Sequence, residues 1–334
     1  MAFLPTKILS IGMALPKTKI TNEDLTKILD TSDEWITTRT GIKERNILSG
    51  EENSTTLAVD AAKDALKKAG LKGKDIDLII VATSCPYNIY PSTACEVQNA
   101  IGGKQAPAFD ISAACTGMLY ALQIGRSMIS TGEYKTALLV ATDQNTRFMD
   151  WTDRSTCILF GDGAGAIILT ESDDGVDDIL ALDITADGTQ GHNITGFLSG
   201  ARGCLLTEPC EEKYPIVYMD GKEVYKFVVS TVPESVDKVL DMSGLKPKDI
   251  DYLIPHQANL RIIEALQQRL EYTDEQVITN LQYHGNTSAA SIPIAMCEGI
   301  EEGKIKLPST AILTAFGAGL AWGSAVIRLR KGIY

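Results

Sequence analysis

Few residues in this chain could do covalent chemistry. Seven cysteines lie at positions 85, 95, 115, 157, 204, 210 and 297. Cys115 stands apart: in "SAACTGMLYALQIG" it follows a small-residue run and precedes an apolar segment with helical spacing. A helix N-terminus sets backbone N–H groups and the positive dipole end beside a thiol, lowering its pKa from about 8.5 and making it nucleophilic. The histidines are His192, His256 and His284. His256 closes "IDYLIPHQAN", a strand by pattern, and strand ends are where α/β sheets bind ligands. His192 lies in a polar, Gly-rich stretch and reads as a surface residue. Asn286, in "YHGNTSAASIPIAM", follows a glycine and opens a helix as capping residues do. A thiol with two neutral donors suits thioester chemistry. The thiol attacks, His256 and Asn286 steady the developing oxyanion, and another thiolate leaves. The plainer alternatives are a buried structural thiol and an asparagine that only caps.

The frame that must position these groups is large. With 334 residues, 44% apolar and 22% charged, the chain is globular and buries a substantial core. No run of about 18 apolar residues offers a membrane span. The start, "MAFLPTKILSIGMALP", reads as a first strand rather than a signal peptide. The odd cysteine count, without a CxxC pair, argues for reduced cytosolic thiols, not a disulfide framework or zinc site. A net charge of −12 argues against nonspecific nucleic-acid binding and obliges any anionic ligand to find a local basic patch.

The chain resembles itself. "DALKKAGLKGKDID" (64–77) aligns without gaps to "KVLDMSGLKPKDID" (238–251), sharing eight of fourteen positions at an offset of 174. "TALLVAT" (136–142) meets "TAILTAF" (310–316) at the same offset. We read a duplication, residues 1–174 and 175–334, with a period far too long for a solenoid. "STTLAVDAAKDALKKAG" has helical spacing and ends in Gly70, a good C-terminal cap. "IDLIIVATS" and "TALLVAT" are short continuous apolar runs, expected of strands covered on both faces. Helices alternating with buried strands give an α/β fold, built twice. The region 187–216 reads as loop. The repeat matches His256 to the end of "IDLIIVATS" and sets Cys115 and Asn286 at pseudo-equivalent helix starts. A pseudo-twofold packing of the halves would bring all three together.

Two competing motifs fail. Cys, His and Asn in this order also occur in papain-like proteases, but "AACTG" lacks their signature and the cysteine is far from the N-terminus. "GDGAGA" (161–166) fits G-x-G-x-x-A, but leads into "IILT", a strand and not a helix. Close backbone packing explains its glycines, and no dinucleotide site is inferred.

Taken together, "TSDEWITTRTGIKER", "PAFDISAACTGMLYAL", "DRSTCILFGDGAGA", "PHQANLRII", "HGNTSAASIP" and "AFGAGLAWGSA" resemble the β-ketoacyl-acyl-carrier-protein synthase III family, over nearly the whole chain. That resemblance implies a thiolase fold: two duplicated halves in five α-β-α-β-α layers, usually a cytoplasmic homodimer. It implies condensation of an acyl-CoA, a short one given the bulk of Tyr90, with malonyl-acyl-carrier protein, opening fatty-acid synthesis, with no metal or redox cofactor, membrane or nucleic acid. Cys115 would be the acylated nucleophile, and His256 and Asn286 would promote decarboxylation. The backbone N–H groups of Cys115 and Ala318 would form the acyl oxyanion hole; many relatives have glycine at the latter position. Trp35 and Arg154 would sandwich the coenzyme A adenine and Arg39 would meet its phosphate. Lys226 and Arg261 would face the acidic carrier protein, and Lys222 replaces a small polar residue beside the pantetheine channel. Tyr90, reaching from the partner subunit, would floor and shorten the acyl pocket.

Three neighbouring functions fit less well. A condensing enzyme of specialised metabolism would share this chemistry with another primer, extender or acceptor. A degradative thiolase needs a second cysteine in the C-terminal Gly-rich turn, and Cys297 reads as core instead. A noncatalytic scaffold typically loses the nucleophile, which this chain keeps.

Overall fold

The computed structural model describes residues 3–103, 105–196 and 217–333. Cys204, Cys210 and most of the 187–216 segment lie outside the described residues. Its frame is two sheets. The first holds β1 (Thr6–Ala14), β2 (Leu78–Ala82), β3 (Ala108–Ile111), β4 (Thr136–Asp143) and β5 (Gly163–Glu171), in the order β1-β5-β4-β2-β3. The second holds β6 (Ile179–Ala186), β7 (Tyr252–Pro255), β8 (Ser309–Gly317) and β9 (Ala321–Leu329), in the order β6-β9-β8-β7. All residues of β2 and β4 are buried, which is why they read as unbroken apolar runs.

The duplication holds down to strand register. β2 pairs in parallel with β4, Leu78 facing Ala137. β7 pairs in parallel with β8, Tyr252 facing Ala311, which is the same pair displaced by 174. Gly70 and Gly244 end their helices in the left-handed conformation, at φ 67° and 71°. In the turns that follow, the N–H groups of Lys72 and Lys246 donate to the carboxylates of Asp75 and Asp249 at 2.8 and 2.9 Å.

Helices complete the layers. On the outer face of the first sheet lie α2 (Ser54–Ala69) and α3 (Thr93–Ile101). Asn53 caps α2, whose buried face is mostly alanine, so the helix sits close enough for the Ser10 hydroxyl to bond Ala65 O at 2.8 Å. Between the sheets lie α4 (Gly117–Ser130) and α7 (Ser291–Glu301), packed in one core with Ile80, Leu139, Ile167, Leu313 and Ile327. Each such side chain contributes about 1.5–3 kcal/mol by leaving water. Outside the second sheet lie α5 (Gly221–Ser243) and α6 (Leu260–Arg269), with α1 (Asp33–Thr40) against α6. These are the five layers expected of a thiolase fold.

The "GDGAGA" glycines pack as expected. A side chain at Gly165 would lie 2.5 Å from the Pro293 ring of α7, and one at Gly161 would lie 2.1 Å from His284 O. Cys297 is core, as read from the sequence. Its Sγ lies 3.0 Å from Lys68 Nζ, and this ammonium also pairs with Asp64 and Glu301, filling the space a cation would need among them.

Candidate active site

The two helices between the sheets begin in matching turns. Ala114–Thr116 forms a 3-10 turn before α4, and Ser288–Ala290 forms one before α7. Ala114 and Ser288, again 174 apart, both take positive φ, at 45° and 54°. Small residues are required here: a side chain at Gly117 would lie 2.9 Å from the Ala82 methyl and 3.2 Å from that of Ala289. The observed register refines the expected equivalence. Cys115 corresponds to Ala289, and Asn286 to Ser112, so the two candidates occupy different positions of the same turn.

Cys115 is partly exposed, and the Ser288 hydroxyl donates to its Sγ at 3.4 Å. The Ser288 N–H in turn donates to Asn286 Oδ1 at 2.8 Å. With Oδ1 committed, the Nδ2 amide is the end of Asn286 free to meet a ligand. The Asn286 backbone is clamped by Leu159 O at 2.8 Å and Gly161 N–H at 3.0 Å. His256 follows β7 and is 2% exposed. Its N–H donates to Thr314 O at 2.8 Å, its ring stands edge-on to Phe316 at 5.4 Å, and Nδ1 lies 2.7 Å from Ser291 Oγ. Gly317, next to Phe316, lies directly against Cys115. Thus Ser288 links Asn286 to Cys115, and Phe316–Gly317 links His256 to Cys115.

Electrostatics departs from expectation at the thiol. Burial pushes Cys115 up to about 12, against the pull of the Ser288 hydrogen bond. The long helix starts only at Gly117, two residues beyond the thiol. Burial also lowers His256 to about 3, so its ring is neutral at physiological pH. Ser291 Oγ accepts from the Gln257 N–H at 3.3 Å, and we assign its hydroxyl proton to the contact with His256 Nδ1. That assignment puts the ring proton on Nε2, making His256 a donor into the site.

The outlying candidates divide. Two guanidiniums lie over the Trp35 ring, Arg39 at 4.3 Å and Arg154 at 4.8 Å from its centroid. Arg261 is exposed, and its guanidinium donates to Thr38 O at 3.1 and 2.8 Å, fastening α6 to the end of the Trp35 helix. Lys226 is exposed and pairs with Glu223 at 2.6 Å. Lys222 is exposed, Ala318 half-buried beside Gly317, and His192 exposed as expected. Tyr90 is 84% exposed. Sequence reading missed Ser288, Ser291, Gly317 and the buried Asp143. Only the two serines carried a signal, since both lie in "NTSAASIP", the counterpart of the Cys115 segment.

This fold and this site define a condensing enzyme of the thiolase type. Residues 109–188 match the family model described as 3-oxoacyl-[acyl-carrier-protein (ACP)] synthase III, and residues 240–329 match that family's C-terminal model. The chain is 46% identical over 327 residues to the beta-ketoacyl-[acyl-carrier-protein] synthase III of Clostridium perfringens, covering 97% of this chain and 99% of the relative. The crystal structure of 3-oxoacyl-[acyl-carrier-protein] synthase III from Aquifex aeolicus superposes with a TM-score of 0.89 at 46% identity, covering 97% of this chain and 100% of that one. A priming β-ketosynthase of the R1128 polyketide pathway superposes with a TM-score of 0.90 at 32% identity, covering 98% and 97%. The chain belongs to the β-ketoacyl-[acyl-carrier-protein] synthase III family.

Proposed function

We propose that the chain performs the family's initiating condensation with Cys115 as nucleophile. An acyl group passes from acyl-CoA to Cys115 and coenzyme A leaves. Malonyl-acyl-carrier protein then docks, and its thioester carbonyl meets His256 Nε2–H and the Asn286 amide. Each donor contributes about 2.7–4 kcal/mol as carbon dioxide departs and the enolate forms. The enolate carbon attacks the acyl-cysteine, whose oxyanion is held by the backbone N–H groups of Cys115 and Ala318. The product is a β-ketoacyl-carrier protein. The sequence balances with no metal or redox cofactor, and its two covalent stages predict ping-pong kinetics.

The observation that carries this reading is the linkage of Cys115, Asn286 and His256 through Ser288, Phe316 and Gly317. Intact-mass measurement after incubation with a panel of acyl-CoAs tests it. A single acyl adduct on Cys115 is expected, and an unmodified Cys115 across the panel would refute it. Malonyl-carrier decarboxylation by the purified chain separates the enzyme from a scaffold. The R1128 resemblance supports a second reading, a priming enzyme of specialised metabolism, distinguished by which carrier protein accepts the product.

The remaining assignments belong to the same proposal. Trp35, Arg39 and Arg154 receive the coenzyme A nucleotide, and Lys226 and Arg261 face the carrier protein. The halves 1–174 and 175–334 supply the nucleophile and the donor pair respectively. A homodimer is supported by the open edge of β3 and the exposed Tyr87, Ile89 and Tyr90 nearby. In it, Tyr90 reaches the partner's acyl pocket. Both substrates are metabolites of the cytoplasm, where we place the enzyme.

A further inference from the structure

The nucleophile described above lacks an obvious base. Burial holds the Cys115 thiol protonated, and His256 is arranged to donate a proton rather than accept one. Among the described residues, the side-chain hydroxyl of Ser288 lies within hydrogen-bonding reach of Sγ, at 3.4 Å. Behind Ser288 stands Asp143, the last residue of β4, with no solvent exposure. One carboxylate oxygen, Oδ1, accepts from the Ser84 N–H at 2.8 Å and the Thr83 hydroxyl at 3.3 Å. The other, Oδ2, is buried without a hydrogen-bond partner. The carboxyl also faces the Ser288 hydroxyl and the Ala289 N–H. An unpartnered acceptor at full burial costs about 1–3 kcal/mol, so its retention calls for an explanation.

We infer that Asp143 acts through Ser288 as the proton acceptor for Cys115, a positioning residue that lets the thiol attack. The three groups read in either direction. With Asp143 ionised, Sγ–H points to Ser288 Oγ and the hydroxyl points to Oδ2. After transfer, Asp143 holds the proton, its O–H points to Ser288 Oγ, and the hydroxyl points to the thiolate. As the sulfur–carbon bond to the acyl group forms, one proton moves from Sγ to Ser288 and another from Ser288 to Asp143. As the coenzyme A thioester bond breaks, the proton returns through Ser288 to the departing sulfur, so Ser288 and Asp143 end as they began, Cys115 carries the acyl group, and coenzyme A leaves as a thiol. One negative charge is shared by the pair, and its titration belongs to both groups together. Burial raises Asp143 as it raises Cys115. The other titratable groups around them are Cys85, pushed upward by burial, Asp162, raised to about 6, and the neutral His256.

The inference rests on Cys115 being the nucleophile, and its test separates the two. Iodoacetamide alkylation of Cys115 is followed by mass from pH 6 to 9 in the intact chain, in Asp143→Asn, in Ser288→Ala and in the double variant. Alanine is tolerated in this conformation, since Ala114 holds it in the matching turn. Each single variant is expected to react about a hundredfold more slowly at pH 7, the low end of a general base's contribution, and the double variant no more slowly than the slower single. The deficit closes as pH rises, because hydroxide then supplies the base. Asp143→Asn reacting as fast as the natural chain, or faster, would overturn the inference, as expected of a carboxylate that merely repels the thiolate. Multiplicative single effects would overturn it too. Where Asp143→Asn fails to reach the natural circular dichroism spectrum, Ser288→Ala decides alone: slow reaction at pH 7 supports the relay and unchanged reaction refutes it. Failure of acyl-CoA to label the natural chain would instead refute the assignment of Cys115.

Discussion

Ser291 Oγ lies 2.7 Å from Nδ1 of His256, and a hydroxyl proton donated across this contact leaves the ring proton on Nε2. Ser291→Ala leaves the ring free to adopt either tautomer. Malonyl-carrier decarboxylation should fall roughly tenfold, as when an orienting partner is removed, while acylation by acyl-CoA stays near the natural rate. Separate assays of the two half-reactions check this. Equal losses in both would point to general damage.

His256 also predicts a pH response. Its folded value, about 3, lies below the 6.5 of an unburied ring. Below pH 6.5 the unfolded chain therefore binds a proton that the folded chain refuses. Stability is lost as pH falls from 6.5 toward 3, by about 1.4 kcal/mol per unit from this group. Ring resonances of His256 should not titrate between pH 5 and 8, and His256→Gln should lose less stability than the natural chain between pH 7 and 5. A ring inflection near 6.5 would contradict the burial argument.

Gly317 tests how tightly Cys115 is held. A Cβ there would lie 2.9 Å from Cys115 N and 3.1 Å from its Cβ, so Gly317→Ala must displace Cys115. Misplacement by about 1 Å costs on the order of a hundredfold in rate, whereas overpacking costs about 1–3 kcal/mol of stability. Burst-phase acylation and thermal melts, taken together, should show a large kinetic loss in a folded protein. Wild-type burst rates would show that the contact is slack.

The two guanidiniums over Trp35 have a consequence for nucleotide binding. If the coenzyme A adenine stacks on this ring, titration with coenzyme A should change tryptophan fluorescence. Trp35→Ala removes both cation–π contacts and should raise KM for acyl-CoA roughly tenfold with kcat nearly unchanged. An unaltered KM would place the nucleotide elsewhere.

Tyr90 bears on chain length. If it closes the partner's acyl pocket, Tyr90→Thr or Tyr90→Gly should extend the range of acyl-CoAs that label Cys115. An unchanged mass profile across the panel would remove Tyr90 from the pocket.

Much of this was legible because the duplication left identical residues in both copies. Gly70 and Gly244, and Asp75 and Asp249, reveal two copies of one helix–turn–strand unit, and the apolar runs of β2 and β4 reveal burial on both faces. His256 was legible from its place at a strand end. Asp143, Gly317 and Ser291 were not, because their roles arise where separate strand and helix ends meet across the two sheets. The thiol was misjudged for a related reason. A dipole can be inferred from one helix, but desolvation depends on every element packed around the sulfur.

The paired turns at Ala114 and Ser288 carry one more implication. A homologous pair with identical side chains would offer the reactants two interchangeable stations, yet a condensation has a giver and a receiver that must never trade places. Divergence at Cys115 against Ala289, and at Ser112 against Asn286, makes the inherited symmetry directional without altering the shared backbone.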